Sequence, residues 1–142
     1  MATKRRGSAV WSGGLKDGKG TVSTESGVLS NVPYNFSQRF ESEAGTNPEE
    51  LIAAAHASCF SMALSLYLAN ASMKAEHIET TATVTFEQVE GGFAVTSSHL
   101  DTTVKYSGGD EAAFRAAAEG AKAGCPISRL LKSNITLDAK LV

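Results

Sequence analysis

The sequence predicts an α+β fold, and three observations carry that prediction. Residues 9–40 break into short β-prone runs separated by turn signals. A strong helix start at Gly45-Thr46-Asn47-Pro48-Glu49-Glu50 then opens a long apolar stretch. Two long alternating runs flank Gly91-Gly92, and a second helical pattern follows them. An order of strands, helix, hairpin and helix is that of an α+β domain. The 142 residues fit one domain, spanning 1–142, with a modest core.

The N-terminal part reads as a small antiparallel meander. Ala9-Val10-Trp11 is apolar and stops at Ser12-Gly13-Gly14. Asp17-Gly18 and Lys19-Gly20 are turn signals, and Thr21 to Thr24 is β-prone. Tyr34 to Phe40 alternates, which predicts another strand with Tyr34, Phe36, Gln38 and Phe40 on one face and Arg39 on the other. Asn47 is a good N-cap, Pro48 suits the first helical position, and Glu49 and Glu50 meet the positive end of the helix dipole. The helix is expected to reach about Ala71, with an apolar seam of Ile52, Ala55, Cys59, Met62 and Leu66.

Ile78 to Phe86 and Phe93 to Tyr106 form the alternating pair, joined as a hairpin through Gly91-Gly92. Their phase slips around Ser98-His99, which predicts a bulge there. Asp110 caps a helix to about Ala123 with Phe114, Ala117, Ala118 and Ala121 inward, and Gly124 ends it. A short helix from Pro126 and a last strand, Asn134 to Leu141, complete the chain.

Composition narrows the function classes. The formal net charge of −2 gives no basic surface for nucleic acid. Lys4, Arg5 and Arg6 are not followed by an apolar h-region, so no secretory signal is expected and the reading is cytoplasmic. Leu51 to Met73 holds no Asp, Glu, Lys or Arg and is long enough to span a bilayer. Its His56, Ser58, Ser61, Ser65, Asn70 and Ser72, with no second span, favour burial in protein over membrane. The stripe of Ser58, Ser61 and Ser65 reads as a small-residue face that lets another helix approach closely.

The chemistry centres on two cysteines. Cys125 falls between Gly124, which ends one helix, and Pro126, which opens the next. At such an N-cap the free N–H groups stabilise a thiolate. Cys59 sits mid-helix on the apolar seam, where burial raises a thiol pKa, so reactivity there needs a nearby cation. Arg39 is the candidate cation, with Glu49 holding its guanidinium through a bidentate pair. Glu49 and Cys59 are ten residues apart, about 15 Å along a straight helix. Either the helix is broken or the Arg–Glu pair serves a second subunit. Two unreactive buried thiols, and an Arg–Glu pair at the surface, are the competing readings. A metal held by His56, Cys59, Cys125 and His77 or His99 lacks any Cys-x-x-Cys spacing. There is no nucleophile elbow and no P-loop.

These same residues carry a family resemblance. Arg39-Phe40-Glu41, the run Gly45 to Leu64 with Asn47-Pro48-Glu49 and Ser58-Cys59-Phe60, Lys19 to Leu29, and Lys122-Ala123-Gly124-Cys125-Pro126 closely resemble the osmotically inducible protein C (OsmC) family. The likeness covers essentially the whole chain. It implies antiparallel sheets packed with two central helices in an intertwined homodimer, with active sites at the interface. It also implies a cysteine peroxidase of organic hydroperoxides acting in oxidative and osmotic stress. Cys59 matches the reactive cysteine, Cys125 the resolving one, and Arg39 and Glu49 the groups around them. The placement of Arg39 is similar to the OsmC branch rather than the organic hydroperoxide resistance branch. A lipoyl-type dithiol is the implied reductant, and neither a bound cofactor nor a metal is implied. An apolar channel near Cys59, using Phe40, Phe60 or Met62, is expected to favour bulky peroxides.

Overall fold

The computed structural model describes all 142 residues, which fall into two compact units, Met1–Leu51 and Ile52–Val142. In the first, strands β1 (Gly7–Ser12), β2 (Lys19–Thr24) and β3 (Val32–Tyr34) form an antiparallel sheet in sequential order. The expected meander is therefore present. Gly20 on β2 lies between two aromatic rings. A Cβ there would stand 2.6 Å from the Trp11 ring and 2.7 Å from the Tyr34 ring. Without one, the two rings meet with centroids 5.4 Å apart.

Beyond Tyr34 the structure departs from the expected strand. Phe36–Phe40 is a short helix, α1, instead. Asn35 decides the matter locally: its side chain caps the turn, accepting from Gln38 N–H at 2.9 Å. Phe36 and Phe40, alternating in sequence, are also four apart, and on the helix their rings stack at 4.6 Å. A period of two and a spacing of four coincide over so short a run, and the cap selects the helix.

Helix α2 runs from Pro48 to Asn70. Its start is the expected one, with Asn47 Oδ1 accepting from Glu50 N–H at 2.8 Å. Its end is a reversal at Ser72, whose φ is 59°, with Met73 N–H returning to the Leu68 carbonyl at 2.9 Å. By length and composition α2 is apolar enough to cross a membrane.

In the second unit, β4 (Lys74–Val89) and β5 (Gly92–Ser107) form the long hairpin. The register slips where Thr85 faces Ser97 and Phe86 faces Val95, so the bulge falls at Thr96, two residues before the expected place. Helix α3 (Glu111–Gly124), capped by Asp110, and α4 (Pro126–Leu130) carry the chain back to β6 (Asn134–Leu141). That crossover makes β6 run parallel to β5, so this sheet is mixed rather than wholly antiparallel.

The core of this unit joins Phe60, Leu64 and Leu68 of α2 to Leu100 and Val104 of β5. Phe114, Ala117, Ala118 and Ala121 of α3 complete it, the four residues expected to face inward. Two glycines let α3 close on α2. A Cβ on Gly120 would stand 2.6 Å from the Tyr67 ring, and one on Gly124 only 2.2 Å from Tyr67 Oη. The opposite face of α2 is a stripe of Ala55, Ser58, Met62, Ser65, Leu66 and Ala69, all exposed in the single chain. Met62 is 78% exposed and Leu66 58%. The apolar seam read from sequence therefore runs along the helix's open side, and the core side is His56, Phe60, Leu64 and Leu68.

Candidate active site

Two helices from distant parts of the second unit bring the cysteines together. Cys59 lies in the middle of α2, partly buried. Cys125 is both the last cap of α3 and the first cap of α4, and it is fully buried. The Gly124 and Pro126 that bracket it are the reason for the sharp junction. Both thiols are free, with their sulfurs 2.8 Å apart in a thiol–thiol contact. A disulfide needs about 2.0 Å, so a shift of under about 1 Å separates this pair from a bond.

The immediate surroundings oppose ionisation of Cys59. Burial pushes its thiol pKa up, and the neighbouring Cys125 thiol pushes it further. A backbone hydrogen bond from Ile127, in the first turn of α4, pulls the other way. The net direction is upward, so a reactive Cys59 needs a cation beyond these contacts.

Cys59 opens onto a groove of about 740 Å³ lined by Met62, Ala63, Leu66, Tyr67, Gly124 and Pro126, among others. Of the residues expected near Cys59, Met62 lines this groove, whereas Phe60 is a fully buried core residue. One turn before Cys59, His56 is also fully buried. Its Nδ1 lies 2.6 Å from Ser98 Oγ and its Nε2 2.7 Å from Ser128 Oγ. Both nitrogens are thus engaged by hydroxyls, and His56 does not share a ligand set with Cys59. Burial lowers its pKa, which keeps the ring neutral.

The expected charged pair is formed in the first unit. Arg39, near the end of α1, donates from Nη2 to Glu49 Oε1 at 2.8 Å and from Nε to Oε2 at 3.2 Å. Glu49 is 9% exposed, in the first turn of α2. The guanidinium also rests over the Phe40 ring, 5.4 Å from its centroid. Arg39 and Phe40 line a cavity of about 260 Å³ whose other walls are Trp11, Leu15, Tyr34, Asn35 and Phe36. The four residues singled out from sequence thus form two pairs, a dithiol in one unit and an oriented guanidinium beside an aromatic cavity in the other. His56, Ser98 and Ser128 were not read as a unit. The only sequence signal was spacing: His56 precedes Cys59 by three residues, and Ser128 follows Cys125 by three.

An α+β fold with two distant cysteines held sulfur to sulfur at a helix junction defines the class, a dithiol protein. Residues 41–140 match the family described as OsmC-like protein. The chain is 54% identical over 141 residues, 99% of each chain, to "Peroxiredoxin OsmC" of Escherichia coli strain K12. Among solved structures, an organic hydroperoxide resistance protein from Elizabethkingia anophelis superposes with a TM-score of 0.71 at 29% identity, over 99% of this chain and 98% of that one. An OsmC-like protein from Mycoplasma pneumoniae gives 0.75 at 15% identity, over 100% and 99%, a likeness of fold alone. The chain belongs to the OsmC-like family.

Proposed function

We propose that this protein is a cysteine peroxidase that reduces organic hydroperoxides to alcohols in defence against oxidative and osmotic stress. The observation that carries the reading is the 2.8 Å separation of the Cys59 and Cys125 sulfurs, brought together from helices far apart in sequence. The 54% identity to a peroxiredoxin and the likeness to an organic hydroperoxide resistance protein support the same activity.

In the proposed cycle the Cys59 thiolate attacks the distal peroxide oxygen. The O–O bond breaks, the alkoxide takes up a proton and leaves as alcohol, and Cys59 becomes a sulfenic acid. Cys125 then attacks that sulfur, forming the Cys59–Cys125 disulfide and expelling water. A small dithiol of lipoyl type returns two electrons by thiol–disulfide exchange, leaving two thiols and its own disulfide. Sulfur carries the electrons throughout. Cys59 is assigned as nucleophile because it opens onto a groove, whereas Cys125 is enclosed.

Arg39 supplies the charge that Cys59 lacks and stabilises the leaving oxygen, while Glu49 fixes the guanidinium plane. Helix α2 is continuous from Glu49 to Cys59, about 15 Å of rise. We assign the pair to the Cys59 of a second subunit in a homodimer. The aromatic cavity beside Arg39 then forms one wall for the organic part of the substrate. The open stripe of α2, with Met62 and Leu66 among small residues, packs on the same helix of the other subunit. That packing shields the apolar helix with protein rather than lipid, consistent with a cytoplasmic protein of one domain type along the whole chain.

Single-turnover chemistry tests the assignment. Cys59→Ser is expected to abolish peroxide consumption. Cys125→Ser is expected to consume about one equivalent per subunit and then stall as a sulfenic acid. Full multi-turnover activity of either variant with dithiol supplied would overturn the cycle.

A further inference from the structure

The buried His56 is absorbed by none of these steps, yet it lies one helical turn from Cys59 and is hydrogen-bonded to Ser128, itself three residues beyond Cys125. It stands three residues before Cys59 on α2. Its Nε2 reaches Ser128 Oγ at 2.7 Å, and Ser128 stands three residues after Cys125 on α4. Its Nδ1 reaches Ser98 Oγ on β5 at 2.6 Å. His56 and Ser98 are 0% exposed and Ser128 7%, so no water competes freely for these bonds. A neutral imidazole offers one donor and one acceptor, so one hydroxyl donates to the ring and the other accepts from it. The result is a polar strut from β5 through α2 to α4 in which both ring nitrogens are paired.

Helix α4 needs such a strut. It has five residues, far below the length at which a helix holds itself. It begins at Cys125, whose side chain makes no capping hydrogen bond and is given over to Cys59. Beside the backbone bond from Ile127 to Cys59, the side-chain hydrogen bond between Ser128 and His56 ties α4 to α2. Cys125 must hold its sulfur within about 1 Å of bonding distance while Cys59 carries an added oxygen.

We propose that His56 is a positioning residue for the resolving step: through Ser128 it holds α4, and with it Cys125, against Cys59. The proposal rests on the peroxidase cycle above and deepens it. With the His56–Ser128 link cut, Cys59 still reacts with peroxide to give sulfenic acid and alcohol. Attack by Cys125, which forms the S–S bond and releases water, then becomes slow. The unresolved sulfenic acid meets a second peroxide and passes to sulfinic acid, releasing a second alcohol.

The two ring nitrogens can be separated experimentally. Glutamine places its amide near the Nε2 position and asparagine near Nδ1. His56→Gln therefore keeps the link to Ser128, and His56→Asn keeps only the link to Ser98. The experiment follows oxidation and disulfide formation separately in full-length protein with an organic hydroperoxide, trapping sulfenic acid with a dione reagent. In His56→Asn and Ser128→Ala, disulfide formation is expected to slow at least about tenfold relative to wild type, with less than about a threefold change in oxidation and more sulfinic acid by mass. His56→Gln and Ser98→Ala are expected to stay within about threefold of wild type in both steps. Unchanged resolution in Ser128→Ala, or equal loss in His56→Gln and His56→Asn, would overturn the proposal. Ser128→Ala removes one hydroxyl and leaves the ring in place, so the test survives if a His56 variant fails to fold. Failure of wild-type protein to form the disulfide would instead count against the cycle itself.

Discussion

Cys59 is a thiol whose own surroundings favour its proton. Burial and the Cys125 thiol raise its pKa against a single opposing N–H. Since only the thiolate attacks, the charge of Arg39 should appear directly in the pH profile. Arg39→Ala is expected to move the midpoint of the oxidation rate upward by about one pH unit or more, with about a tenfold loss near neutrality that alkali partly restores. Glu49→Gln leaves the guanidinium but loosens its orientation, and a smaller loss with little midpoint shift is expected. Stopped-flow rates from pH 5.5 to 9.5 read both. His56 gives a separate signal in stability. Its folded pKa is lowered by burial, so the fold excludes a proton that the unfolded chain accepts below about 6.5. Stability is therefore full above that pH and falls as pH drops, by up to about 1.4 kcal/mol per unit. Denaturant titrations at pH 7.5 and 5.5 should show the fall, and it should shrink in His56→Gln. At this scale the two cysteines were legible because Gly124 and Pro126 fix one and the resemblance fixes the other. The His56 strut was not legible, because it joins residues 42 and 72 positions apart that carry no shared motif.

Among the elements, α2 and α3 were read almost to the residue, because caps at Asn47 and Asp110 and a break at Gly124 are local signals. Helix α1 replaces the strand that alternation predicts, since its two phenylalanines satisfy both periods and only the Asn35 cap distinguishes them. The parallel pairing of β6 was likewise invisible, being set by the α3–α4 crossover rather than by the strand itself. The contact of α3 with α2 depends on a missing Cβ. Gly124→Ala would drive a methyl into Tyr67 Oη at 2.2 Å and displace the start of α4. A loss of about 1–3 kcal/mol in unfolding free energy is expected, with slower disulfide formation. Tyr67→Phe in the same background should restore part of both. In the core, Leu64→Ala removes a fully buried side chain and should cost about 3–4 kcal/mol by denaturant titration.

At the scale of the whole molecule, the apolar seam that the sequence pattern predicts on α2 is not the face that the core buries. Core packing takes the His56, Phe60, Leu64 and Leu68 side, leaving Met62 and Leu66 open. Periodicity reports that a face is apolar and does not report whether the same chain or another covers it. If a second copy covers it, Met62→Glu with Leu66→Glu should yield monomers by sedimentation velocity and lose activity, because Arg39 no longer reaches Cys59. In the proposed cycle, the assembly and the charge both serve one event, the meeting of two sulfurs at the groove beside α2. The most direct measurement mixes reduced protein with an organic hydroperoxide and, side by side, hydrogen peroxide in a stopped-flow instrument, then identifies the linkage by mass spectrometry. Faster oxidation by the organic peroxide, with one Cys59–Cys125 disulfide per chain, is the predicted result. Thiols that stay reduced, or a bond that forms only between chains, would contradict it.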